Sequence, residues 1–423
     1  MIRISEMVLA GHPDKFCDQV GDAFIEEAMK IDPDAYGQVE VAVWSDQVWL
    51  SGGICTRRPM LRSSKDIVVA TGRAIGCTED NHIDAQHYQL TDTVCRLVGE
   101  PREWSDKVND QTVIIGWAGY DLKTRYLPPE HFAAHVFREV LTESCLSGFL
   151  AGQGPDGKLM VRMKEESSGW RIEHILVTLQ QKEHTPFSDI CTGIEKTLAE
   201  AYEKLRGTDR RWVSPWDEIQ LMINPNGPLI NGGSDGDNGQ TGRKLVMDYY
   251  GPRIPIGGGA LSGKHLSHID RVGAYAARDA AVRAVQTGAG ECLVRVMYAP
   301  NIKQPMDVSF EMTGRGNRQP KAFFDHAAMV DRYAGEVIDR DLARGRHFFD
   351  DSLVWNMGYA GKVYESPPLA SEKRGRIHFP INVSGPNGTY LRASSSLRES
   401  SSRKRGSCNG WRPMTTRSPL SRG

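Results

Sequence analysis

Valines at 39, 41 and 43 alternate with Glu40, Ala42 and Trp44, the period-two pattern of a strand with one buried face. Ser45-Asp46 predicts a turn into a second strand through Val48 and Leu50, and a helical pattern follows over about 64–75. Upstream, Phe16, Val20, Phe24 and Ala28 share one face of a helix that Pro13 is well placed to start. The same succession returns with strands near 158–163 and 170–179, then a helix near 188–205 carrying Ile190, Ile194, Leu198, Tyr202 and Leu205 on one stripe. A third set has strands at 219–223, 291–299 and 306–312, with helices near 270–286 and 325–341. Strand pairs followed by helices, three times over, predict an α+β chain of antiparallel or mixed sheets faced by helices.

Composition narrows the class. A chain of 423 residues is long enough for two or three domains with substantial cores. Its net charge of −1 argues against a general nucleic-acid surface. Eight cysteines stand singly, without a CxxC pair, so zinc and redox motifs are not expected and a reducing cytoplasm is the natural setting. No apolar signal segment opens the chain, no run approaches a membrane span, and the sequons near 382 and 387 then carry no glycosylation. The tail is different. From Ser394 onward it has nine serines, seven Lys or Arg and a single Glu, which predicts a disordered basic segment over 391–423, either a basic arm for an acidic partner or an extension with no role.

The chemistry concentrates between Asn224 and Arg271. There the glycines of NGGSDGDNGQTGRK and IGGGALSGKHLSHIDR stand among Arg243, Lys244, Lys264, Asp237 and Asp270. Glycine lets the backbone approach a ligand closely, paired cations suit a polyphosphate, and isolated carboxylates suit Mg²⁺ that keeps substrate phosphates as ligands. Gly258–His265 nearly fits a P-loop, but His265 replaces the metal-binding hydroxyl and PRIPI precedes it where a buried strand is needed. A second cluster, His12, Asp14 and Lys15, stands at the N-terminus of the first helix, where unpaired N–H groups favour phosphate.

GHPDK at 11–15, GPDGK at 154–158, INPNGPLINGGSDGDNGQTGRK, GGGALSGK and IDR together resemble the S-adenosylmethionine synthetase (methionine adenosyltransferase) family. The match runs in order from about residue 5 to about 360. It implies three similar βαββαβ-type units around a pseudo-threefold axis, with units at 1–103, 122–222 and 223–370 and a gating loop region at 104–121. It also implies a homodimer with sites at the interface, often paired into a tetramer. The reaction implied joins the methionine sulfur to C5′ of ATP and releases the triphosphate, which is then hydrolysed to pyrophosphate and phosphate. By resemblance His12, Lys158 and Lys264 form the catalytic set, with His12 at the bond that breaks. Lys15, Arg243, Lys244, Lys264 and Ala260 hold the polyphosphate, Asp156 and Lys158 bind ATP, and Asp237 is shared between ATP and methionine. Two Mg²⁺ ions fall to Asp14 and Asp270 with support from Glu6, and a K⁺ to Glu40, for which the alternative is an ordinary solvated strand residue.

The departures cluster on the acceptor side. Gly52-Gly53 is followed by Ile54 where the family has glutamate, Leu97 stands for a glutamine, His268 for a lysine, and Pro228-Leu229 for an aromatic. The gating segment, roughly 98–109, is short. Ile54, Leu97, Asp237 and His268 are thus the expected acceptor pocket, with His268 expected to replace the lysine's charge only near or below pH 6.5. Three readings remain open: methionine adenosyltransferase, a related ATP-dependent adenosyltransferase or triphosphate-releasing enzyme with another acceptor, and a non-catalytic ATP-binding homologue.

Overall fold

The computed structural model describes residues 1–79, 83–336 and 338–360, which belong to one compact unit. The expected tail at 391–423, and the end of the expected C-terminal unit at 370, lie outside these residues.

The elements follow a similar order three times, the third without a strand after its last helices among the described residues. The first pass is β1 (Ile2–Val8), α1 (Pro13–Ile31), the hairpin β2 (Tyr36–Trp44) and β3 (Gln47–Thr56), α2 (Ser64–Ile75), then β4 (Gln89–Asp92) and β5 (Cys95–Val98). A short α3 (Arg102–Ser105) leads to the second pass: β6 (Thr112–Gly119), α4 (Pro129–Ser147), the hairpin β7 (Gly157–Glu166) and β8 (Gly169–Leu179), α5 (Phe187–Thr208) and β9 (Gln220–Ile223). The third comprises β10 (Gly239–Gln240), α6 (Leu245–Asp248), α7 (Ile269–Gln286), the hairpin β11 (Ala289–Tyr298) and β12 (Asp307–Gly314), α8 (His326–Tyr333) and α9 (Val354–Met357).

The three hairpins seed three sheets, and each borrows its outer strand from another pass. β1 runs antiparallel to β7, β6 to β11, and β10 to β2. The strand that follows the second helix lies parallel on its own hairpin, β4 and β5 along β3 and β9 along β8. This cyclic exchange of antiparallel strands is the βαββαβ unit repeated about a pseudo-threefold axis. It also alters two expected boundaries: β1 belongs to the sheet of the second hairpin, and much of 104–121, expected as gating loop, is the core strand β6.

α7 occupies the middle. Ala274, Ala276, Ala277, Ala280, Ala281 and Ala284 are all fully buried, and such small side chains let strands come close. Gly116 of β6 is one such approach: a Cβ there would stand 2.1 Å from the Ala277 carbonyl carbon. Trp355 stacks on Tyr275 with centroids 3.8 Å apart and closes the far side of α7. The helix expected to reach 341 ends at Tyr333, just before the breaker Gly335. Among the described residues no helix is long and apolar enough to cross a membrane.

Candidate active site

α1 shows how the glycine-rich chain is fastened. Asp14, Asp18 and Asp22 are four residues apart on one stripe, and all are fully buried. Their carboxylates accept backbone N–H groups from Gln240, Gly242 and Gly263 at 2.9, 2.8 and 2.8 Å. Successive rungs of one helix thus pin two segments of the Gly-rich run. Asp22 also holds Arg271 of α7 through two 2.8 Å bonds, and neither side chain touches solvent. The loop must then lie close against its neighbours. A Cβ on Gly239 would stand 2.3 Å from Pro13, and Gly263, at φ +78°, would bring one within 2.2 Å of the Val39 carbonyl oxygen. Asp18, Asp22 and Arg271 are site-building residues that motif reading passed over; the four-residue spacing of Asp14, Asp18 and Asp22 was the signal for the two aspartates.

Two charged centres sit on this frame. At the entrance of α1, His12 is the N-cap, and its Nδ1 accepts the Asp14 N–H at 3.2 Å. The Asp14 carboxylate pairs with Lys244 and lies 3.3 Å from Arg243 Nε. Burial, and then Lys244, lower the His12 pKa to about 4 against the pull of Asp14, so the ring is neutral at pH 7. Lys158 and Asp237 are exposed and both add to the field at His12. Asp156 accepts the Gly233 N–H at 2.8 Å, and burial of its carboxyl raises its pKa to about 6.

At the second centre Lys264 Nζ lies 2.7 Å from Asp270, the second residue of α7, and Thr112 donates to the same carboxylate at 2.7 Å. Burial works against the charge of Asp270, yet Lys264 holds its pKa below the usual carboxylate value. A cavity of about 580 Å³ opens here, lined by Glu40, Thr241, Gly242, Ala260, Lys264 and Asp270 among others. Glu40, on the outer face of β2, therefore faces this cavity rather than bulk solvent. Burial raises its pKa and Lys264 opposes the rise.

Five expected residues fall elsewhere. Lys15 is 1% exposed and held between Asp18, at 2.9 Å, and Asp248, so here it braces the helix inside the fold. Burial disfavours its charge, but the two carboxylates outweigh this and raise its pKa. Ile54 is 2% exposed and packs in the core with Val48 and Leu50. The neighbouring position Gly53, opposite Gln38 as Ser51 is opposite Glu40, lies on the cavity-facing side of the sheet. Leu97 is exposed on β5 and does not line the 580 Å³ cavity. His268 is the buried N-cap of α7, and burial, then His265 and Lys264, lower its pKa to about 3; it is neutral and does not replace a lysine's charge. Glu6 lies half-buried on the outer face of β1 opposite Met160.

Comparison with known proteins follows the same division of the chain. Residues 1–96 match the model of the S-adenosylmethionine synthetase N-terminal domain and residues 231–358 that of its C-terminal domain. An S-adenosylmethionine synthase of Rhodospirillum centenum is 29% identical over 324 residues, covering 74% of this chain and 80% of that protein. One from Parvibaculum lavamentivorans is 27% identical over 372 residues, covering 86% and 92%. Among solved structures, an unusual S-adenosylmethionine synthetase from Campylobacter jejuni superposes with a TM-score of 0.73 at 22% identity, covering 84% of this chain and 96% of its own. That likeness is one of fold. The chain belongs to the S-adenosylmethionine synthetase family as a divergent member, and is an enzyme of the transferase class.

Proposed function

We propose that the enzyme is a methionine adenosyltransferase: the sulfur of methionine attacks C5′ of ATP, the triphosphate leaves, and water then cleaves it to pyrophosphate and phosphate. The observation that carries this reading is the pair of helix entrances, α1 and α7, each with an aspartate–lysine pair, tied to one glycine-rich run. In the free enzyme each carboxylate neutralises a lysine. With a magnesium–polyphosphate bound, the two lysines would pair with phosphate oxygens and the two carboxylates would hold the metal, which would supply positive charge to the leaving group.

Among the described residues no group of three or more His, Cys, Asp or Glu side chains converges on one point. Asp14 and Asp270 therefore fit Mg²⁺ ions that keep substrate phosphates as ligands, not an all-protein cage. When bound, such ions supply positive charge to the leaving triphosphate. His12, neutral and with Nδ1 engaged by the helix, offers its remaining N–H to the departing oxygen. Arg243, Lys244 and Lys264 hold the polyphosphate, and Asp156 and Lys158 hold ATP. Asp237 stands between ATP and the acceptor, Ala260 lines the polyphosphate cavity, and Glu40 is the ligand of a K⁺. Sheet faces not covered by helices expose Ile2, Ile4, Met160 and Met222, an apolar surface that suits a homodimer.

A second reading, with ATP used on a less polar acceptor, is favoured by the two departures that remove charge, Ile54 where the family has glutamate and His268, held neutral by burial, where it has lysine. Incubation with ATP and Mg²⁺, with and without methionine, followed by mass identification of the adenosyl product, decides between them. S-adenosylmethionine formed only when methionine is added supports the first. Methionine-independent triphosphate release supports the second, and absence of any ATP turnover removes both.

A further inference from the structure

A second cavity, of about 430 Å³, opens between the end of α1, α3, the chain entering α7, and α8. It shares no lining residue with the 580 Å³ cavity, although Lys264 lines one and His265 the other. Two buried imidazoles line it, His265 and His326, the latter 3% exposed. The Nδ1 of His265 is held against Gly37, 2.9 Å from its carbonyl oxygen. The Nε2 of His326 lies 2.7 Å from the Ser267 carbonyl oxygen, which can only accept, so Nε2 carries a proton. Burial lowers the His326 pKa, and the neutral ring then presents Nδ1 as a bare acceptor. Among the described residues no hydrogen bond takes up that nitrogen. Charges of both signs act on the ring, Asp106 raising its pKa and Lys303 lowering it. Both line the cavity from its exposed edge, as does Asp331, and among the described residues none of these three side chains has an ion-pair partner. The other opposite charges at this edge, Asp34 and Arg102, are taken up by each other at 2.9 Å. Met29, Leu266 and Val330 supply apolar wall.

We propose that this cavity binds a free α-amino acid with an apolar side chain, at a site separate from the polyphosphate centre. An acceptor nitrogen beside a carboxylate, His326 Nδ1 with Asp106, is what an ammonium group requires, and Lys303 offers the opposite charge to an α-carboxylate. A polyanion would meet Asp106 and Asp331, and a wholly apolar molecule would leave all three edge charges and the buried Nδ1 without partners. A zwitterion with an apolar side chain satisfies both ends and the wall. The proposal does not depend on which acceptor the enzyme uses. Leu266 and Ser267, which line the cavity, lie in the chain between Lys264 and Asp270, so an occupant leans on the segment that carries the second charged centre.

The two ends of the ligand can be tested separately in the full-length protein without nucleotide. The probe is L-leucine, which has no sulfur to react, beside isoamylamine, which lacks its carboxylate, and 4-methylpentanoate, which lacks its ammonium group. Binding is followed by calorimetry and by ligand-observed NMR. Leucine is expected to bind the wild type, and each one-ended analogue to bind about tenfold or more weakly. Asp106→Asn should weaken leucine about tenfold or more and leave 4-methylpentanoate unchanged. Lys303→Met should weaken leucine to a similar degree and leave isoamylamine unchanged. Both side chains are exposed, so both variants should keep the wild-type thermal midpoint, which is measured alongside. Absence of leucine binding to the wild type at millimolar concentration overturns the proposal. Leucine affinity unchanged in both variants overturns it as well, since the amino acid would then sit elsewhere. So does leucine binding no tighter than its one-ended analogues, which would make the cavity an apolar pocket with idle charges at its edge.

Discussion

The triphosphate side and the acceptor side of this cleft are constrained to different degrees. On the first, Asp14, Lys244, Lys264 and Asp270 stand on a chain that buried aspartates of α1 pin by its own backbone N–H groups. On the second, the residues expected to form one pocket have separated into a core side chain, Ile54, an exposed edge residue, Leu97, and a helix cap, His268. Side chains whose neighbours are fixed by close glycine contacts keep their place when the sequence diverges. A strand position keeps its place only while the register holds, and a step of one residue turns it to the other face.

The largest expected effect tests that one-residue step. Ile54→Glu introduces a carboxyl into packed core, and the loss should be about 4 kcal/mol or more, enough to abolish a cooperative thermal transition near the wild-type midpoint. Gly53→Glu should fold normally, because a Cβ at Gly53 meets nothing nearer than the Cys95 carbonyl oxygen at 3.9 Å. Thermal melts of the two variants side by side check the assignment. If Gly53→Glu is the unstable one, the faces are the reverse of those described. In the folded Gly53→Glu variant, half-saturation by methionine should fall about tenfold or more, through a new charged partner for the ammonium group.

The anchored side should respond in rate rather than in folding. Lys264→Ala and Asp270→Ala are each expected to lower turnover a hundredfold or more, the scale of about 3 kcal/mol for a lost transition-state contact. Turnover is measured per folded molecule, since each substitution also leaves a partner unpaired. Wild-type-like rates in both variants would remove these residues from the chemistry.

Much of this was legible in the chain, for identifiable reasons. The alternation at Val39–Trp44 and the stripe from Ile190 to Leu205 are local patterns, and the strands and helices lie where they predicted. The exchange of β1, β6 and β10 among the sheets was not legible, because strand pairing is non-local and no short-range signal encodes it. Lys15 misled because charge spacing at a helix start does not say which side faces the ligand: α1 is buried on all sides from Pro13 to Ile25, and Lys15 finds its partners inside. Glu40 gave the opposite lesson, since its alternating pattern fits a solvated residue and only the fold puts a cavity in front of it.

A smaller effect concerns Asp156. Its folded pKa of about 6 exceeds the ordinary 3.8, so the folded state holds its proton more tightly than the unfolded chain does. Its contribution to stability is then most favourable at low pH and is lost as pH rises from about 4 through 6, by at most about 3 kcal/mol. Asp156→Asn should therefore melt above the wild type at pH 7, with the gap closing by pH 4–5, while its affinity for ATP falls. Melting curves across pH 4–8 check this, and a gap independent of pH would mean that the carboxyl is not desolvated.

The smallest expected effect is the absence of one. An imidazolium at His268 would make methionine use improve as pH falls towards 6, as the sequence alone suggests. Burial, with His265 and Lys264 beside it, lowers the His268 pKa to about 3, and Asp270 at 3.9 Å does not restore it. His12 is held at about 4 by burial and Lys244. Neither ring changes charge between pH 6 and 8, so methionine half-saturation should be flat across that range. His268→Lys inserts a permanent cation, and any gain it gives in methionine affinity should likewise not depend on pH over 6–8. The check is a series of methionine saturation curves at pH 6, 7 and 8 for both proteins. An improvement towards pH 6 that is present in the wild type and abolished in His268→Lys would mean that the ring is charged in the complex. The carboxylates around it would then outweigh its burial, and the acceptor side would be as tightly organised by charge as the triphosphate side.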